Sequence, residues 1–89
     1  MNYHTIKVAE ICDNTKTRGE GAKLYTEVQK YFRINQGVEV DFSGCNDIGG
    51  EFIRRSVVML FYRYGERIFN RYIKINGETI EELLNMGTI

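Results

Sequence analysis

The side chains able to do chemistry gather in two short segments and on one helix. The segment Asp41-Phe42-Ser43-Gly44-Cys45-Asn46-Asp47 brings a hydroxyl, a thiol and two carboxylates close together. A nucleophile needs a base beside it, and Cys45 with Asp47 or Asp41 makes a weak pair of that kind. The lone His4 falls on the apolar side of a strand pattern, as a part-buried structural residue rather than a partner for Cys45. No enzyme is expected, and selective alkylation of Cys45 near neutral pH is the observation that would mark an activated thiol. Cys12, Cys45 and one histidine cannot complete a zinc quartet, so neither a metal nor a cofactor is expected. Two cysteines are also few for a small secreted scaffold, which points to reduced thiols and a cytoplasmic chain.

A second segment, Thr17-Arg18-Gly19-Glu20-Gly21, puts an arginine and two glycines in the first turn of a helix. Free N–H groups and the helix dipole favour an anion there, which makes Arg18, Gly19 and Gly21 candidate anion-binding residues. The competing reading is that Gly19 or Gly21 only lets the helix pack closely on the sheet. Neither a GK[ST] nor a GxGxxG follows, so this is no P-loop and no dinucleotide fingerprint.

Arg54, Arg55, Arg63 and Arg67 form a third set, with Arg55, Arg63 and Arg67 at multiples of four along one helix. They could contact nucleic acid, or their stems could cover apolar surface on a solvated helix back. Twelve Lys and Arg against twelve Asp and Glu give no net charge, which argues against nucleic acid as the main partner. The balance conceals segregation. Residues 37–53 hold Glu39, Asp41, Asp47 and Glu51 without a base, whereas residues 54–74 hold six bases against Glu66 alone.

The elements that position these groups follow from periodicity. His4, Ile6 and Val8 alternate with polar neighbours as a strand does. Residues 12–16 read as a loop. Thr17-Arg18-Gly19-Glu20 is a capping box, with Leu24, Val28, Tyr31 and Phe32 as the apolar stripe of the helix behind it. Val38, Val40 and Phe42 alternate as a second strand. After the loop 43–50, Ile53, Val57, Leu60, Phe61 and Tyr64 predict one helix closed by Gly65 at its C′ position. Residues 72–75 read as a third strand with Ile73 and Ile75 inward. Asn76-Gly77 turns the chain, and Thr79-Ile80-Glu81-Glu82 caps a short helix running through Met86.

Strand and helix thus alternate three times, which predicts an α/β fold: a small, mainly parallel or mixed sheet of three to four strands with three helices. Three helices cover such a sheet incompletely, whether split two and one or all packed on one face. Self-association to a homodimer is therefore left open. At 89 residues the chain makes one domain, 1–89. The start at Met1-Asn2-Tyr3-His4 lacks the features of a signal peptide, and the longest apolar run, Val57 to Tyr62, is far below the ~20 residues of a membrane span.

On these residues the chain resembles STAS domains, the fold of anti-sigma-factor antagonists, whose strand ends in an Asp-aliphatic-Ser pattern like Asp41-Phe42-Ser43. It is more similar still to a small prokaryotic STAS-like family described as a domain of unknown function. That family has an Arg-x-x-Gly helix start, matched by Arg18 and Gly21. Its Asp-Phe-Ser-Gly strand end is followed by a Ser-Phe pair opening the next helix, replaced here by Glu51-Phe52. The resemblance runs from about Ile6 to Leu84. It implies a non-enzymatic regulatory or protein-interaction module, with an ATPase-type kinase or a transcriptional regulator as partner. It places the partner surface at Ser43, Gly44, Asp47, Gly49, Gly50 and Glu51. Anti-sigma-factor antagonists are switched by phosphorylating a serine at this helix start, and Gly49-Gly50-Glu51 offers no hydroxyl. The expectation is a module without that switch.

Overall fold

In a computed structural model describing residues 2–88, the alternating segments form three strands: β1 (Tyr3–Lys7), β2 (Gly37–Asp41) and β3 (Ile73–Asn76). Met1 and Ile89, the outermost residues of the 1–89 span, lie outside the described residues. Among the described residues the strands pair in the order β1-β2-β3, all parallel, so the sheet has three strands and no antiparallel member. Among the described residues five helices accompany it: α1 (Val8–Ile11), α2 (Arg18–Phe32), α3 (Gly50–Arg54), α4 (Val57–Tyr72) and α5 (Ile80–Thr88).

The register explains the layering. Residues paired across neighbouring strands share a face, so His4, Val38 and Ile73 form one row and Ile6, Val40 and Ile75 the next. On that face Ile6, Val38, Val40 and Ile73 join a single core with Leu24 and Val28 of α2, Phe52 and Ile53 of α3, Val57, Leu60 and Phe69 of α4, and Leu83 of α5. The opposite face carries Thr5, Glu39 and Lys74 in one row and Lys7, Asp41 and Asn76 in another, none of them buried. There the Thr5 hydroxyl donates to Glu39 Oε1 at 3.0 Å, and Lys74 Nζ sits 4.3 Å from the centre of the Tyr3 ring. The helices therefore cover one face, and the bare face stays wet because its residues are polar.

Several local expectations change. The alternation of His4, Ile6 and Val8 ends at Lys7, and Val8 is buried in the one-turn α1 instead. His4 keeps its place in the apolar row yet is exposed, because β1 is an edge strand. Its ring stacks on Tyr31 at 4.2 Å. Thr17 caps α2 by accepting the Glu20 N–H, but the Glu20 carboxylate takes the Asp13 N–H at 2.7 Å, and the Thr17 N–H donates to Asn14 Oδ1. Only half of the capping box forms. At the second one, Thr79 accepts the Glu82 N–H at 3.2 Å, and α5 runs to Thr88.

The helix expected over 51–64 is two helices. Ser56 separates α3 from α4 with non-helical φ −123° and ψ −87°. It is wholly buried, and its hydroxyl donates to the Phe52 carbonyl at 2.8 Å. At the far end Gly65 has the positive φ expected of it (83°), but with ψ 158° it kinks the chain and the helix resumes to Tyr72. Only glycine adopts that conformation without strain, and it re-aims the second half of α4 toward the start of β3. Tyr62 of α4 is 70% exposed.

Candidate functional site

The C-terminal ends of β1 and β2 lie side by side, with Lys7 paired to Asp41, so the loops that leave them meet. In open α/β sheets this edge forms a crevice where ligands and partners bind. Here residues 12–17 face residues 43–50 across an open groove of about 310 Å3, lined by Cys12, Asn14, Thr15, Gly44, Cys45 and Asp47 among others.

The two loops are stitched together. Thr15 is buried; its carbonyl accepts the Gly49 N–H at 2.8 Å, and its hydroxyl lies 3.3 Å from the carbonyls of both Asn46 and Asp47. Lys16 Nζ pairs with Asp47 Oδ2 at 2.5 Å. Asp47 holds φ 61°, a left-handed turn position that aspartate tolerates. Thr15 and Lys16 were not singled out in the sequence, because a threonine and a lysine in a polar loop carry no periodic or motif signal.

Asp41 ends β2 and closes an Asx turn, accepting the Ser43 N–H at 2.8 Å. A bond from the Ser43 hydroxyl and this N–H hold the Asp41 carboxyl below its ordinary pKa. Burial pushes the thiols the other way. Cys12 is raised to about 11 by desolvation and then by the Glu20 carboxylate; its Sγ lies 3.6 Å from the Glu20 carbonyl. Cys45 is raised by desolvation and then by Asp41. At both positions desolvation disfavours the thiolate, the form that acts as a nucleophile. Among the described residues no group of three or more metal-ligating side chains converges.

Glu51 opens α3 and ties three elements. It pairs with Arg18 Nε of α2 at 3.7 Å and with Arg54 Nη1, while Arg54 Nε donates to the Gly87 carbonyl of α5 at 2.9 Å. Gly50 is required beneath it, since a Cβ there would lie 2.7 Å from the Met86 carbonyl oxygen. Ser43, Gly44, Asp47, Gly49, Gly50 and Glu51, the residues expected at a partner surface, all fall between the end of β2 and the first turn of α3.

The Arg18–Gly21 turn resolves residue by residue. A Cβ on Gly21 would stand 2.4 Å from the Phe52 carbonyl oxygen and 3.1 Å from Arg55 Cβ, so Gly21 allows α2 to cross α3 closely. The close packing is helix on helix rather than helix on sheet. Gly19 meets nothing within 4 Å, and Arg18 turns to Glu51. The arginine set is divided by the Ser56 break. Arg54 ends α3 and Arg55 is its C-cap, both half-buried, and Arg63 and Arg67 lie exposed on α4. The strip at multiples of four along one helix does not form.

A three-stranded parallel sheet covered on one face, with an Asp-Phe-Ser-Gly strand end feeding a helix start, defines a STAS-like α/β domain. The chain belongs to that family: residues 20–80 match the STAS-like domain of unknown function (DUF4325). No curated protein and no solved structure matches the chain. Among the described residues, no helix is long and apolar enough to cross a membrane.

Proposed function

We propose that this chain is a non-enzymatic regulatory module that binds a protein partner through the C-terminal edge of its sheet, without a phosphoserine switch. The observation that carries this reading is Glu51. It sets a fixed negative charge at the first turn of α3, anchored by Arg18 and Arg54, where the switched relatives of the fold carry a phosphorylatable serine. A phosphoserine would bring about −1.5 to −2 charge to such a helix start, and Glu51 supplies a permanent part of it.

The only two serines support the same reading. Ser56 is wholly buried with its hydroxyl committed to Phe52. Ser43 is exposed, but its N–H and hydroxyl already serve Asp41, whose charge would repel a phosphate two residues away. The protonated thiols of the groove favour binding over covalent chemistry. By analogy with the fold, the partner is an ATPase-type kinase or a transcriptional regulator in a cytoplasmic setting.

Incubation with cognate extract and ATP, followed by intact-mass measurement, tests the absence of a switch. An adduct of about 80 Da mapped to residues 43–56 overturns it. Titration of the labelled protein with a purified ATPase encoded beside its gene is expected to shift the amide signals of residues 43–51. Shifts confined to other surfaces would overturn the assignment of this edge.

A further inference from the structure

The two ends of β3 carry opposite charge. Before it, α4 presents Arg63 just ahead of the Gly65 kink and Arg67 and Arg71 beyond it, all exposed, against Glu66 alone. After it, Glu78, Glu81 and Glu82 lead into α5, with Glu81 and Glu82 exposed and no lysine or arginine from residue 75 onward. Because β3 runs from one edge of the sheet to the other, the basic group stands at the N-terminal edge and the acidic group at the C-terminal edge.

Among the described residues none of Arg63, Arg67, Arg71, Glu78, Glu81 and Glu82 forms an ion pair within the chain, whereas Lys16, Arg18, Lys23, Lys30 and Arg54 all do. Arg63 and Arg71 are splayed over the rings of Tyr64 and Tyr72, each 5.8 Å from the ring centre. Those rings, with Phe32 and Ile68, line an apolar cleft of about 300 Å3 beside the basic group. Ile68 is 40% exposed there, and Ile34, next to the cleft residue Asn35, is 70% exposed. An exposed apolar cleft rimmed by unpaired cations fits a surface that is acidic with apolar neighbours, and the start of α5 has that chemistry, Glu81 and Glu82 lying beside half-buried Ile80 and Leu84.

We propose that copies of this chain associate head to tail, the acidic start of α5 on one copy docking against the arginine-rimmed cleft of the next. The two surfaces differ and lie at opposite edges, so the contact is heterologous: it leaves one donor and one acceptor surface free in every dimer and continues into a ring or an open string. It goes beyond partner binding at residues 43–51 and does not depend on it.

Sedimentation velocity of the full chain at roughly 10 to 500 µM, in about 50 mM and about 500 mM salt, tests the proposal, since exposed pairs are screened strongly over that range. At low salt the mean mass is expected to rise past twice the chain mass, and at high salt to fall toward the monomer. R67E/R71E and E81K/E82K are each expected to stay monomeric, and an equimolar mixture of the two to associate again, because each retains the surface the other lacks. R67Q/R71Q repeats the loss without placing an acid at a helix C-terminus, and circular dichroism establishes that every variant is folded. A wild type that is monomeric throughout overturns the proposal. So does a mass that stops at two copies, which would mark an isologous dimer, or association that both reversals leave unchanged. A fluorescein-labelled oligothymidine bound by the monomer and released by R67E/R71E would assign the arginines to nucleic acid instead.

Discussion

Replacing Gly21 with alanine puts the helix–helix reading of the Arg-x-x-Gly motif to a quantitative test. Gly21 lies inside α2, where alanine is intrinsically favoured over glycine by about 0.8–1 kcal/mol. Against this, the new methyl carbon would stand 2.4 Å from the Phe52 carbonyl oxygen, well inside van der Waals contact. That oxygen is backbone, and it also accepts the Ser56 hydroxyl, so it cannot swing aside as a side-chain tip would. Relief requires α2 and α3 to separate, and overpacking of a filled interface costs typically about 1–3 kcal/mol. The contact is tighter than an ordinary overpacked one, so the upper part of that range applies, and the net expectation for Gly21→Ala is a loss of about 1–2 kcal/mol.

Gly19→Ala is the internal control, two residues earlier in the same helix with nothing within 4 Å of its Cβ position. It gains the propensity term alone and should stabilise by up to about 1 kcal/mol. Urea unfolding followed by circular dichroism reads both. For a domain of this size the thermal midpoint should move by about 4–8 °C per kcal/mol, downward for Gly21→Ala and upward for Gly19→Ala. Equal stabilisation by both substitutions would refute the reasoning, because Gly21 would then have no packing role.

Four further outcomes follow from the site. Ser56→Ala leaves the Phe52 carbonyl without its side-chain donor in a buried position and should destabilise by about 0.5–1.5 kcal/mol in urea unfolding. At pH 8 iodoacetamide should label Cys45 well before Cys12, since Cys12 is the more buried thiol and is raised to about 11, and mass-mapped labelling in the reverse order would contradict the site geometry. The folded pKa of Cys12 exceeds its unfolded value, so its contribution to stability is complete below pH 9.0 and is lost as pH rises toward about 11, which Cys12→Ala should abolish in alkaline melts. The folded pKa of Asp41 lies below its unfolded value, so its contribution is present above the unfolded carboxylate range and is lost as pH falls through the folded pKa. Ser43→Ala should raise the Asp41 pKa toward the ordinary value in a carboxyl-carbon NMR titration.

What could be read from the chain alone, and what could not, divides along local and tertiary causes. The strands were legible because their rows alternate: Val38 and Val40 bury while Glu39 and Asp41 do not. The Thr17 cap and the Asp-Phe-Ser-Gly strand end were legible because a cap and a strand terminus are local. The Ser56 break was not, since Ile53, Val57, Leu60 and Phe61 keep helical spacing across it. At the break Ser56 buries its hydroxyl on the Phe52 carbonyl and Gly21 of another helix abuts the same oxygen, tertiary contacts that spacing does not reveal. Glu20 was assigned to its own cap and instead serves Asp13, a competition between two nearby N–H groups that spacing cannot decide. Of the candidate site, the second loop was legible as a strand end feeding a helix start, and its joining to the first loop was not. Thr15, which bolts the first loop to the second, is anonymous until the strands set it beside Asn46 and Asp47.

The order β1-β2-β3 means that every ladder bond between strands involves β2, and β1 meets β3 through side chains, Lys74 over the Tyr3 ring. β1, like β3, has a single ladder neighbour, and only Ile6 of its five residues is buried. Solvent deuterium should therefore enter the amides of β1 first while those of β2 remain protected, and the order of exchange would trace a sheet that unzips from its first strand inward. Such unzipping begins on the strand whose far end carries the groove, so fluctuations of the fold and occupancy of the site are thermodynamically linked: whatever binds between residues 12–17 and 43–50 also slows the opening of β1.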